Sequence, residues 1–183
     1  EGTSIMRAAS LVGIQIPKLC ASDNLHAFGS CRLCIVDYKN RKETGYPSSC
    51  TTPIVKGMEV TTHNEKLHYL RKNILEMYIS EHPLDCNSCS ANGDCDLQEQ
   101  AKNHDLLLSD NTLQPSKYGS ASCDLMSKSI DESNPYFSFD PNKCIVCSKC
   151  IRACNEIQGT YALSLYSRSN KTQIKPGLAE NFL

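Results

Sequence analysis

The chain has 183 residues, with 19 Lys+Arg against 20 Asp+Glu and a formal net charge of −1. That balance excludes a global nucleic-acid or membrane-surface footprint, and no apolar run approaches the roughly 18 residues of a membrane span. Leu, Ile, Val and Phe make up only about a fifth of the chain, close to where burial alone stops sustaining a fold. Against that thin core stand 12 cysteines, so sulfur must supply part of the structure, through disulfides, zinc or iron–sulfur clusters.

Residues 1–13 open on Thr3 and Ser4 as candidate helix N-caps. Ile5, Ala8, Ala9 and Val12 then recur at helical spacing, and Gly13 can take the left-handed conformation beyond the end. Ile14, Ile16 and Leu19 alternate around Pro17, an extended segment leading into Cys20. Cys31–Tyr38 and Ile54–Val60 are rich in β-formers, so residues 1–62 read as a small α+β unit. From Glu65 to Glu81, the positions Leu67, Leu70, Ile74, Leu75 and Tyr78 mark one face of an amphipathic helix, a packing stripe that His82-Pro83 terminates. Asp96–His104 forms a second, short helix. Residues 105–135 are rich in Ser, Asp, Asn and Lys and read as a linker or exposed insertion. Residues 63–104 and 136–183 are then the second and third units.

The cysteines fall into three groups. Cys20, Cys31, Cys34 and Cys50 supply the four thiolates of one [2Fe–2S] centre or one zinc ion; their spacing allows both and departs from the plant-type ferredoxin pattern. Gly29, just before the close pair, permits backbone amides to approach a cluster core. Cys86, Cys89 and Cys95 need a fourth ligand, and His82 is the nearest candidate. His63, His68 and His104 have no such context and are expected to face solvent. The third group, Cys144, Cys147, Cys150 and Cys154, is a C-x2-C-x2-C-x3-C run, the bacterial ferredoxin signature of [4Fe–4S] binding. The fourth cysteine of such a run ligates the other cluster of a pair, whose remaining ligands are expected beyond Leu183. Asn155 stands where Pro usually follows. Cys123 is left over as a bystander thiol. Closely spaced local pairs without a charged, apolar leader favour metal over disulfides and a reduced, cytoplasmic setting.

Taken together, this order of groups resembles the N-terminal electron-transfer region shared by three enzymes. They are the alpha subunit of NAD-dependent molybdenum or tungsten formate dehydrogenases, the large subunit of respiratory complex I, and the iron-only hydrogenases. The stretches Ala27-Phe28-Gly29-Ser30-Cys31-Arg32-Leu33-Cys34 and Ser90-Ala91-Asn92-Gly93-Asp94-Cys95 favour the formate dehydrogenases. So do Asp131-Glu132-Ser133-Asn134-Pro135-Tyr136-Phe137 and Glu156-Ile157-Gln158-Gly159-Thr160-Tyr161-Ala162.

The resemblance implies an α+β chain. A β-grasp [2Fe–2S] ferredoxin-like domain, its first strand preceding Glu1, is followed by a His/Cys-ligated [4Fe–4S] domain and a truncated bacterial-ferredoxin-like [4Fe–4S] domain. It implies [2Fe–2S] on Cys20, Cys31, Cys34 and Cys50, and [4Fe–4S] on His82, Cys86, Cys89 and Cys95. A further [4Fe–4S] would sit on Cys144, Cys147 and Cys150, with Cys154 serving a fourth cluster. It also implies a downstream pterin-metal domain, a flavin/NAD-binding partner subunit, and no catalytic residue in this stretch. The rival of another class is a zinc-stabilised binding module.

Overall fold

The computed structural model describes residues 2–41, 43–119, 128–177 and 181–182; Cys123 lies outside them. The first helix, α1 (Ile5–Leu11), starts at Ser4, whose hydroxyl accepts from the Arg7 amide at 3.3 Å. It buries Ile5 and Ala9, while Leu11 and Val12 point outward. Gly13 follows at φ +79°, the left-handed stop that its position implied.

A three-stranded antiparallel sheet has the order β2–β1–β3, formed by β1 (Asp37–Lys39), β2 (Thr44–Gly45) and β3 (Glu59–Thr61). Its register sets Tyr38 opposite both Gly45 and Val60. These strands are shorter than the β-forming runs Cys31–Tyr38 and Ile54–Val60. Arg32 adopts φ +59° and turns the backbone between the two cysteines, so only the end of that run remains free to pair. Gly57 at φ +81° and the Met58 amide bonded to the Val55 carbonyl make a turn inside the other. Ile5, Ala9, Ile16, Ala21 and Val36 pack with Cys34 and Cys50 beneath this unit.

The long helix α2 (Glu65–Ser80) is capped by Asn64, whose carbonyl oxygen accepts from the Leu67 amide at 2.7 Å. The same side chain donates to Asp37 on β1. Asn64→Ala is expected to cost about 1 kcal/mol of stability, read as a lowered thermal midpoint. The chain leaves α2 through Glu81 and His82, whose amides bond back to Tyr78 and Ile79, before Pro83. Helix α3 (Asp96–Lys102) packs on α2 through Leu97 and Ala101.

Residues 105–119 depart from the expected linker. Leu106 and Leu113 are core residues packed with Leu75, Ile79 and Leu97. The Glu76 carboxylate accepts from the Lys117 amide, and the Glu76 carbonyl accepts from the Ser116 hydroxyl. Two or three well-placed leucines in a polar stretch are enough to fold it back on the helices, and composition averages hide them.

His104 is likewise buried rather than solvent-facing. Its Nδ1 bonds the Gln100 carbonyl at 2.8 Å, and its ring stacks on His68. Burial, first, and the neighbouring His68 hold its pKa below the usual imidazole value. A depressed folded-state pKa gives stability that is present above the unfolded value near 6.5 and lost as pH falls through the folded value. The midpoint of unfolding should therefore drop on acidification below about pH 6.5, and His104→Gln should flatten that part of the pH profile.

The third unit begins after the pairing of Asp131 with Phe139. It comprises α4 (Lys149–Ala153), a wider π-type turn over Cys154–Gln158 closed by Gly159 at φ +67°, and a hairpin of β4 (Leu163–Tyr166) and β5 (Gln173–Pro176). Among the described residues no helix is long and apolar enough to cross a membrane. The architecture is a small mixed α/β arrangement of short helices and two small sheets.

Candidate metal centres

The loop between Pro17 and Cys34 and the turn carrying Cys50 bring the first four cysteines together. None is more than 4% exposed, which shields a metal centre there from water. They face each other as two pairs, Cys20 with Cys31 and Cys34 with Cys50. The hydrogen bond from the Cys31 thiol lowers Cys20 to about 4, with the Cys31 and Ser30 amides adding to it; the Cys31 amide lies 3.4 Å from Cys20 Sγ. The Cys50 thiol likewise lowers Cys34 to about 6. Cys31 and Cys50 are pushed up by sharing those protons and by burial.

Two thiolates of one pair lie within electrostatic reach of the other pair. Two thiols per iron is the stoichiometry of a four-thiolate [2Fe–2S] centre, and amides turned toward sulfur are the donors that tune it. Gly29 sits at φ +70°, and a Cβ there would meet Thr51 Cγ2 at 3.0 Å, so the loop can close this tightly only on glycine. Among the described residues no three His, Cys, Asp or Glu side chains converge on the point that a single ion would occupy.

The second group is built around the end of α2. His82 Nδ1 lies 2.8 Å from the Pro83 carbonyl. A carbonyl only accepts, so Nδ1 carries the proton and Nε2 presents the lone pair. Cys86 opens a short 3-10 turn, the Cys89 amide bonds the Cys86 carbonyl, and Cys95 stands at the start of α3. The intervening loop is held by Gln98. Its carbonyl accepts from the Gly93 amide, and its NH2 donates to Asn92 Oδ1 and to the Asn111 carbonyl. Gln98 was not singled out in the sequence, where it is one polar residue among several on a short helix.

In the third group Val146 and Ser148 take φ +52° and +59°, so the chain coils around Cys144, Cys147 and Cys150. Cys144 and Cys150 are pushed up by burial first; Cys147 adds to both, and Cys144 adds to Cys150. Cys154 faces elsewhere. Its Sγ lies 2.9 Å from Thr160 Oγ1 and accepts from the Ala162 amide at 3.2 Å. The Thr160 hydroxyl and the amides of residues 161–163 lower its pKa. Cys154 is thus the one of the four whose sulfur is bonded to the following loop.

The three groups meet. Cys20, Cys31 and Cys86 share one buried core with Leu75, Ile79 and Leu97, and Cys95, Cys147 and Tyr78 pack against it. Tyr78 is pushed up by burial and then by the charges of Cys31, Cys20 and Cys147, which places its ring among the first and third groups. Lys143 pairs with Asp85 at 3.0 Å and Lys149 with Asp96, so the third unit is also pinned to the second. The Glu156 carboxylate accepts from the His26 amide at 2.7 Å.

Family models match the chain in the same order. A 2Fe-2S iron-sulfur cluster binding domain covers residues 1–65. The NADH-ubiquinone oxidoreductase-G iron-sulfur binding region covers 71–107, and the ferredoxin-like domain of NADH-quinone oxidoreductase subunit 3 covers 134–182. The chain is 36% identical over 172 residues to the NADPH-Fe(3+) oxidoreductase subunit alpha of Geobacter sulfurreducens, which spans 94% of the chain but 19% of that relative. It is 34% identical over 180 residues to the mitochondrial NADH-ubiquinone oxidoreductase 78 kDa subunit of Candida albicans, covering 98% of the chain and 24% of the relative. The chain therefore spans between a fifth and a quarter of the length of these curated relatives.

A crystal structure of an NAD+-reducing [NiFe]-hydrogenase in the H2-reduced state contains a chain that superposes with a TM-score of 0.81 at 31% identity, over 95% of this chain and 68% of that one. None of these comparisons singles out the formate dehydrogenases. With iron–sulfur domain models matching in this order and a solved relative 31% identical over 68% of its length, the chain belongs to the iron–sulfur protein family that includes that hydrogenase chain.

Proposed function

We propose that the chain is the electron-transfer module of an NAD(P)H-linked oxidoreductase. Cys20, Cys31, Cys34 and Cys50 would hold the [2Fe–2S] cluster. His82, Cys86, Cys89 and Cys95 would hold one [4Fe–4S] cluster, and Cys144, Cys147 and Cys150 a second. Cys154 would reach a further cluster. When bound, these clusters supply one-electron transfer. The observation that carries the reading is the single apolar core on which thiols of all three groups converge. That core encloses Cys20, Cys31 and Cys86, and Cys95 and Cys147 pack against it. The amides of Ser30 and Cys31 orient on Cys20 sulfur, and the Pro83 carbonyl fixes the tautomer of His82. No residue of the stretch is needed to bind or transform an organic substrate.

A finer reading makes the whole protein a formate dehydrogenase, with a pterin-bound metal in a further domain and flavin and NAD on a partner subunit. It is supported by the stretches around Ser30-Cys31, Gly93-Asp94-Cys95 and Asn134-Pro135-Tyr136. A hydrogenase or complex I setting is favoured at least as strongly by the hydrogenase chain and the 78 kDa subunit that this chain is similar to.

Anaerobic purification followed by iron, zinc and acid-labile sulfide analysis tests the module. Iron with equivalent sulfide and a brown chromophore are expected; zinc without sulfide would replace the reading with a zinc-stabilised binding module. In the whole enzyme, cluster reduction by formate but not by hydrogen supports the formate dehydrogenase setting, and the reverse supports the hydrogenase one.

A further inference from the structure

Two buried guanidinium groups remain outside this account. Arg71, on the apolar face of α2, is 2% exposed and donates to the Ile35 carbonyl at 2.6 Å and the Thr62 carbonyl at 2.9 Å. Arg152, on α4 between Cys150 and Cys154, is 7% exposed and donates to the Cys20 and His26 carbonyls, with its plane over the Phe28 ring.

Among the described residues neither has a carboxylate within ion-pair distance, and the Nε of each is without a hydrogen-bond partner. The Glu156 carboxylate near Arg152 is engaged by the His26 amide. An arginine keeps its proton in any protein interior, and an isolated buried cation is costly unless a negative charge offsets it. Both reach into the backbone that carries the first four cysteines. Arg152 binds the carbonyl of Cys20 itself. Arg71 binds the carbonyl of the residue after Cys34, and the Cys34 charge acts on it. One arginine thus stands beside each thiol pair of the first centre, one supplied by the second unit and one by the third.

We infer that Arg71 and Arg152 are positioning residues that act as the fixed counter-charges of the [2Fe–2S] centre, so that the second and third units complete the electrostatics of the first and raise its reduction potential. A four-thiolate [2Fe–2S] core is an anion that gains one more negative charge when it accepts an electron. A nearby permanent cation favours that reduced form, because its attraction grows with the added charge. The thiolates remain the ligands, and no proton or bond changes hands.

The inference rests on the proposed cluster assignment. Its test is a redox titration of the intact chain followed by EPR, with iron and sulfide counted for each protein. Absence of a [2Fe–2S] signal from the unmodified protein would sink the assignment itself; a signal there lets the variants test the inference alone. Arg152→Gln and Arg71→Gln are each expected to lower the reduced-to-oxidised ratio of the [2Fe–2S] signal about tenfold at a given poise, or 59 mV for one electron. Arg152→Lys and Arg71→Lys, titrated at mildly acidic pH so that the desolvated ammonium stays protonated, keep a cation and are expected to stay within about threefold of the unmodified protein. Gln variants that hold full iron and sulfide with an unshifted potential would overturn the inference. Lysine variants shifted as far as tenfold would also overturn it, and they decide the matter should the glutamine variants fail to load.

Discussion

His82→Ala is expected to strip or convert the second cluster, and His82→Cys to retain it at a lower potential. The argument is one of charge. A neutral imidazole in a set with three thiolates leaves the centre one unit less negative than four thiolates would, and His ligation raises potentials for that reason in Rieske centres. Cysteine restores the charge and so disfavours the added electron; alanine removes the donor altogether. The Nδ1 bond to the Pro83 carbonyl already fixes which nitrogen is available. Redox-titrated EPR with iron counting reads both variants, and a protein in which neither the potential nor the iron content moves would remove His82 from the ligand set.

Leu75→Ala should produce the largest loss of stability of any single apolar truncation on α2, about 2–5 kcal/mol. Leu75 is fully buried, on the seam where Cys20 and Cys31 of the first unit meet Cys86 of the second. Its methyl groups touch core on several sides, so the cavity left behind cannot collapse from one direction. Chemical denaturation of the holo-protein measures the loss, and the same variant should lose cluster absorbance faster under air because the shared core opens to water. A loss of unfolding free energy of less than about 1 kcal/mol would mean that the three units stand without their common core. That outcome would also weaken the electron-transfer reading, which depends on that core.

Much of this was legible in the residues. The three cysteine groups and the stripe that makes α2 a helix follow from spacing alone, and residue chemistry narrows the first cap to Thr3 or Ser4, of which the structure uses Ser4. The 3 + 1 division of the last run is an expectation from its signature, and the contacts of Cys154 with Thr160 and Ala162 are compatible with it. What escaped the sequence were the features set by tertiary contact.

Arg71 occupies a position four residues from both Leu67 and Leu75, so its place on the buried face was visible, but a lone cation there gives no hint of the carbonyls that receive it. Arg152 lies among cysteines whose own signal masks it. The strands are short because Arg32 and Gly57 turn the chain inside runs of good β-formers. Leu106 and Leu113 bury a segment whose average composition is that of a loop.

The contacts of Arg152 and Glu156 with residues 20 and 26 join positions 132 and 130 apart in the chain. They are therefore among the last to form, since the entropy of closing so long a loop is lost before any bond repays it. During synthesis at about 5–20 residues per second, the first cysteine group is exposed on the order of ten seconds before α4 follows it out. In that interval the Cys20 and His26 carbonyls have no guanidinium to bind. The order of the units along the chain is thus also an order of assembly, the third docking on a first that is already out.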